Sequence, residues 1–312
     1  MDEVRTLPEA LARGPLVLDG GLSNQLESAG HDLGDALWSA RLLADRPEAL
    51  AEAHLAYVRA GADVVLTASY QASFEGFGRR GADRAEAAAL MASSVRLARE
   101  AARLAGPGRR RWVAASAGPY GAVLADGAEY RGRYGLSAGA LERFHRPRLE
   151  VLAAAGPDAL ALETVPDTEE AEAMLRAVRG LGVPAWLSYT VAGERTRAGQ
   201  PLTEAFALAA EAPEVFAVGV NCCTPEDAGP AVALAARITG KPVVVYPNSG
   251  EDWDPSAARW RGPARMSAAL APEWVRAGAR LVGGCCRVGP ATVAELAARL
   301  HPAGGGTQQA GR

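Results

Sequence analysis

No run in this 312-residue chain approaches the roughly 18 consecutive apolar residues that a membrane span requires. The first residues, Met1-Asp2-Glu3-Val4-Arg5, lack the charged-then-apolar order of a secretory signal, so the expected compartment is the cytoplasm. An excess of one charge is missing too. There are 33 Lys and Arg against 36 Asp and Glu, a net charge of −3. That balance argues for neither nucleic acid nor a membrane surface as a partner, and leaves small molecules as the expected ones. The only basic triplet, Arg109-Arg110-Arg111, follows Pro107-Gly108 and reads as a solvated loop before a strand. No Pro/Gly/Ser-rich linker divides the chain, and no glycine-rich strand–turn–helix dinucleotide fingerprint occurs. Cysteine is sparse, at four residues. In a reducing compartment those four are expected to do thiolate chemistry rather than form disulfides.

What is present is a recurring punctuation: a helical stretch, a Gly, one or two residues, then a short apolar strand. Gly61-Ala62-Asp63 leads into Val64-Val65-Leu66, Gly156-Pro157-Asp158 into Ala159-Leu160-Ala161-Leu162, and Gly278-Ala279-Arg280 into Leu281-Val282. Gly182 and Gly240 precede looser copies at Ala185-Trp186-Leu187 and Val243-Val244-Val245. Glycine is favoured just past a helix end because it accepts the left-handed conformation. Continuously apolar strands suit a parallel sheet buried on both faces. A representative helix has Asp45 as its expected N-cap, Pro47 early, and Leu50, Ala53, Tyr57 and Ala60 on one face. Leu16-Val17-Leu18, Trp112-Val113-Ala114-Ala115 and Val215-Phe216-Ala217-Val218 bring the strand count to eight. Eight strands separated by helices predict an α/β fold, a single-domain (β/α)₈ TIM barrel over residues 1–302, with 303–312 a disordered tail.

In such barrels the site lies where strands end and βα loops begin. Those positions carry Asp19; Thr67, Ser69 and Tyr70; Gly118-Pro119-Tyr120; Glu163-Thr164; Tyr189-Thr190; Asn221-Cys222-Cys223; Asn248; and Cys285-Cys286. All four cysteines therefore fall at the ends of the sixth and eighth strands, on one rim. Thiolates are soft ligands that select Zn²⁺, and a catalytic zinc keeps one position open. The competing reading, that these are small buried hydrophobes, has to explain why no helix or strand interior contains one. Adjacent side chains on an extended strand point to opposite faces, so both members of a pair bind only where the backbone turns. Gly283-Gly284 makes a turn plausible at Cys285-Cys286. No glycine adjoins Cys222-Cys223, which predicts one ligand from that pair and a three-thiolate zinc with a vacancy.

Asp19-Gly20-Gly21-Leu22, Asn221-Cys222 and Gly283-Gly284-Cys285-Cys286 resemble the motifs of the homocysteine-binding domain. That domain is shared by homocysteine S-methyltransferases, betaine–homocysteine methyltransferase and cobalamin-dependent methionine synthase. Leu37-Trp38-Ser39-Ala40, the run from Thr67 through Gln71 to Ala72, Gly118–Ala122, Ala125–Gly132, Phe144–Arg148 and Val245–Glu251 look like the first of these branches. The resemblance covers roughly residues 15 to 300. It implies Cys222, Cys285 and Cys286 as zinc ligands, with Cys223 a bystander. It implies Asp19 and Glu163 on the homocysteine ammonium, with the Gly20-Gly21 backbone and the Thr67 hydroxyl at its carboxyl end; Asn221 joins this substrate-binding set. Two carboxylates at a rim otherwise poor in charge do suit a cationic amine. The implied reaction is methyl transfer from a sulfonium donor to homocysteine, giving methionine. S-methylmethionine is the implied donor, with S-adenosylmethionine a possible second. A sulfonium is cationic, which makes Trp38, Tyr70 and Tyr189 candidate aromatic contacts, with Gln71 and Asn248 as polar candidates on the same side. Betaine-dependent transfer and a non-catalytic zinc or thiol redox-sensor barrel stand as the alternatives.

Overall fold

The computed structural model describes residues 4–34, 37–106, 109–254 and 259–302. The tail expected to be disordered, and Pro107-Gly108, lie outside the described residues. Eight strands form the central sheet: β1 (Leu16–Val17), β2 (Val64–Leu66), β3 (Trp112–Ala117), β4 (Ala159–Val165), β5 (Ala185–Tyr189), β6 (Val215–Asn221), β7 (Val243–Tyr246) and β8 (Ala279–Val282). The helices that follow them, strand by strand, are α1 (Pro47–Arg59), α2 (Arg84–Leu104), α3 (Ala138–Ala154), α4 (Thr168–Val178), α5 (Leu202–Ala210), α6 (Pro225–Thr239), α7 (Ala271–Ala277) and α8 (Pro290–Leu300). Every strand pairs in parallel with its neighbours in chain order, and β8 pairs with β1. A bridge between Leu18 and Val64 closes the last seam. The eight strands read from apolar runs are these eight, in a barrel.

Both faces of the sheet are buried, which is why the strands show no alternation of polar and apolar residues. Inward side chains such as Trp112, Ala161, Trp186, Val244 and Leu281 fill the barrel, while Val65, Leu160, Leu187 and Val218 pack outward on the helices. An N-terminal helix, Leu7–Arg13, starts with a capping box between Thr6 and Glu9 and lays Leu7 and Leu11 into the interior cluster. It stops the end of the barrel where the strands begin.

At that same end the Gly-x-Asp punctuation has a second purpose. Asp63 accepts the Val17 N–H (2.9 Å) and Asp158 accepts the Val113 N–H (2.8 Å), so each aspartate satisfies the backbone of the neighbouring strand. The basic triplet is not a purely solvated loop. Arg109 pairs with buried Asp63 (3.3 Å), and Arg110 lies over the Trp112 ring (4.1 Å). Gly61, Gly156, Gly182, Gly240 and Gly278 all take positive φ, as the punctuation requires. Asp45 does not cap α1: the N-cap is Arg46, and Asp45 ends a preceding turn of helix, Leu42–Asp45. Among the described residues, no helix is long and apolar enough to cross a membrane.

Candidate functional site

β7 lies between β6 and β8, and the loop after it holds the cysteines of both neighbours in place. Cys285 donates its N–H to Pro247 O (2.7 Å), Cys286 to Asn248 Oδ1 (3.1 Å), and Asn248 donates its own to Cys223 O (2.9 Å). At the end of β6 the chain turns through a positive φ of 49° at Cys222 itself, without a glycine. The turn on the other side comes after the cysteines, where Val288 N–H bonds Cys285 O (3.1 Å) and Arg287 has φ 65°. Gly283 and Gly284 serve by smallness instead. A Cβ at Gly284 would stand 2.2 Å from Val288, and one at Gly283 would stand 2.6 Å from Leu18.

The outcome is a cluster. Cys222 Sγ lies 2.6 Å from Cys285 Sγ and 4.0 Å from Cys286 Sγ, and all three fall within 4.8 Å of one another. Cys223 points away, fully buried in the sheet–helix core, where burial pushes its thiol up to about 12. Within the trio, hydrogen bonds from Cys222 and Cys285 hold Cys286 well below the usual thiol range, while the same contacts push Cys285 up. Three sulfurs this close can all be ionised only with a cation among them. Among the described residues this is the one group of three His, Cys, Asp or Glu side chains close enough to hold a metal. The donor set fits a soft divalent ion.

Beside the thiols lie two buried carboxyls. Asp19, after β1, accepts the Leu66 N–H (2.9 Å); burial raises it well above the usual carboxylate range, and the charge of Glu163 adds to the shift. Glu163, near the end of β4, is held by the Ser116 hydroxyl and by Tyr246 Oη (2.9 Å), and burial lifts it to about 7. The Tyr246 hydroxyl donates to Glu163, the Ser188 hydroxyl donates to Asn221 Oδ1 (2.8 Å), and the two hydroxyl oxygens lie 2.8 Å apart.

Asn221 is fully buried below the site. Its Oδ1 accepts the Thr164 N–H (2.7 Å) and its Nδ2 donates to Thr164 Oγ1 (2.7 Å). The clamp holds a β-branched residue at φ 59°, where the β4–β5 register takes an extra residue. Thr67 is committed in a similar way. Ser69 gives its proton to Ser116 O (2.7 Å), so the Thr67 hydroxyl donates to Ser69 (2.6 Å) while accepting from Ser116 N–H (3.0 Å). In this arrangement its only proton is taken by Ser69.

The loops after β2 and β3 roof this region. Their anchor is Arg148 of α3, a fully buried guanidinium that donates to Gly118 O (3.2 Å) and Tyr70 O (2.8 Å). Glu170 accepts the Tyr120 N–H (2.6 Å) and holds His145 (2.9 Å), also from α3. Tyr70 lies over Gly118, where a Cβ would meet its ring at 2.5 Å. Gln71 is buried and donates to Ala122 O (3.0 Å), and Trp38 is 37% exposed with φ 45°. Tyr189 faces the other way. Its hydroxyl donates to Ala205 O (2.8 Å) and its ring packs on Phe206 between sheet and helices, so it is no donor contact. Sequence reasoning missed Ser116, Ser188 and Tyr246, which occupy inward positions inside strand ends. It also missed Glu129 and Tyr130 on the long loop between β3 and α3. The Tyr130 hydroxyl is one of the groups that lower Cys286.

A family model described as Homocysteine S-methyltransferase matches residues 16–300. The Homocysteine S-methyltransferase of Escherichia coli strain K12 is 46% identical over 293 residues, spanning 91% of this chain and 94% of its own length. Homocysteine S-methyltransferase 4 of Zea mays is 45% identical, over 94% of this chain and 91% of its own. Among solved structures, the metallated form of the E. coli homocysteine methyltransferase MmuM matches with a TM-score of 0.83 at 44% identity, covering 93% of this chain and 98% of that one.

Proposed function

Because the chain belongs to the homocysteine S-methyltransferase family, we propose that it methylates homocysteine with a sulfonium donor at a zinc ion held by Cys222, Cys285 and Cys286. The observation that carries the reading is the convergence of these three thiols beside two buried carboxyls. Methyl transfer to homocysteine, giving methionine, is the activity of the family. A zinc ion bound there supplies a Lewis acid that keeps a coordinating thiol deprotonated at neutral pH.

The chain's own residues do the rest. Asp19 and Glu163 hold the acceptor's ammonium. A cation between two buried carboxyls lowers both pKa values and favours their ionised forms. The Tyr246 hydroxyl, already a donor to Glu163, supports the carboxylate. The Gly21 N–H is committed to Val288 O (2.9 Å), which leaves the Gly20 N–H as the candidate for the acceptor's carboxyl end. Asn221 acts as a positioning residue: its grip on Thr164 fixes the backbone that aims Glu163. Transfer itself needs no acid or base from the protein. The acceptor sulfur's lone pair forms the new S–CH₃ bond while the donor's S–CH₃ bond breaks, and the departing pair neutralises the sulfonium. Alignment by the barrel rim removes much of the entropic barrier.

The test combines metal analysis with donor choice. Purified protein should contain zinc, and Cys285→Ser should lose most of both zinc and activity. S-methylmethionine or S-adenosylmethionine should support methionine formation, and betaine should not. Full turnover after exhaustive chelation, or turnover with betaine alone, would reject the reading.

A further inference from the structure

We propose that Glu129 binds the positively charged sulfur of the methyl donor, a role that rests on the sulfonium reading above. Glu129 sits in a short 3-10 turn, Ala128–Tyr130, on the loop between β3 and α3, and is only 4% exposed. Its Oε2 is buried with no hydrogen-bond partner. The neighbouring cation, Arg131, pairs with Asp126 (3.1 Å); its charge acts on Glu129 but it makes no hydrogen bond to that oxygen. The loop is shaped to place this carboxyl. Ala125 and Gly127 take positive φ (56° and 76°), and at Gly121 a Cβ would stand 2.5 Å from Glu129 N. Glu129 is close enough to the cysteine cluster for the charge of Cys286 to act on it, and its own charge acts on Tyr70.

A buried carboxylate oxygen without a partner is costly unless a cation arrives to meet it. The reaction brings one, a sulfonium, to within bonding distance of these thiols. Tyr70, on which the charge of Glu129 acts, supplies an aromatic ring near it, which suits an alkylated cation. The attraction is strongest before transfer and fades as the positive charge is neutralised. Glu129 therefore contributes to donor binding rather than to the chemical step.

Calorimetry on metal-loaded protein tests this with three probes: trimethylsulfonium, which has no amino group; S-methylmethionine; and methionine, which has the ammonium but no sulfonium. Glu129→Gln should weaken both sulfonium ions by about tenfold or more and leave methionine unchanged. In turnover, the donor KM should rise in parallel, with kcat, homocysteine KM and zinc content retained. Glu129→Asp keeps the charge on a shorter arm and should lose affinity by a smaller factor, which gives a second reading should the Gln variant fold poorly. Trimethylsulfonium affinity unchanged in either variant would overturn the proposal, and so would an equal loss for methionine. These binding measurements need no turnover, so a wild-type protein that makes no methionine from any sulfonium would reject the proposed function while Glu129 is still read by the titrations.

Discussion

Glu163→Gln keeps the shape of the side chain and removes one charge. Its expected effect is a rise of about 10- to 100-fold in homocysteine KM, the range of a buried charge-assisted hydrogen bond, with zinc content intact. The pH profile carries the sign. With the free carboxyl lifted to about 7, the carboxylate proposed to grip the ammonium is present above that pH and lost below it. The wild-type KM should therefore climb by about tenfold per unit as pH falls below 7, and the Gln variant should lack that climb. Glu163 itself was legible from its place after an apolar strand, as were Cys222, Cys285 and Cys286. The spare capacity of a hydroxyl was not. Thr67 stands at the rim as expected, yet its proton goes to Ser69, a fact fixed by neighbours from another strand. Tyr189 could have been read correctly: alternation from inward Trp186 puts Ser188 inside and Tyr189 outside.

Between strands and helices, the segment Phe144–Arg148 shows how α3 governs loops it does not belong to. Arg148→Met would leave the Gly118 carbonyl without its buried donor, at about 1–3 kcal/mol, while the Tyr70 carbonyl keeps the Gly118 N–H (3.0 Å). The expected result is a lower melting temperature and a larger fall in kcat/KM for the donor than for homocysteine, since the roof loosens while the Asp19–Glu163 floor of the pocket is untouched. Steady-state kinetics with each substrate varied in turn would show the split. The elements themselves were readable where apolar runs are continuous. The hairpins Val191–Ala192 with Arg195–Thr196, and Asp252–Asp254 with Arg259–Arg261, were not, because two- and three-residue strands leave too little pattern. The course of the long loop after β3 was hidden for another reason. Its path depends on left-handed residues such as Ala125 and Arg133 that no local propensity announces.

At the scale of the whole molecule, the barrel was implied by eight strand–helix units, but its stopper was not. The N-terminal helix reads as one more amphipathic segment, and only the closed sheet reveals that Leu7 and Leu11 complete the interior. Leu11→Ala should destabilise the protein by about 2–5 kcal/mol, visible as a lower denaturation midpoint, while the remaining folded fraction retains its KM values. Because the packed interior and that plug close one end, the site at the opposite rim is approached from one side only. Whatever occupies its inner end must enter first and leave last. On the proposed reading, homocysteine held by Asp19 and Glu163 should precede the donor, which should then bind on the side of Tyr70 and Glu129. Labelled homocysteine bound to the enzyme, then mixed with donor and a large unlabelled excess, should emerge as labelled methionine rather than be diluted away.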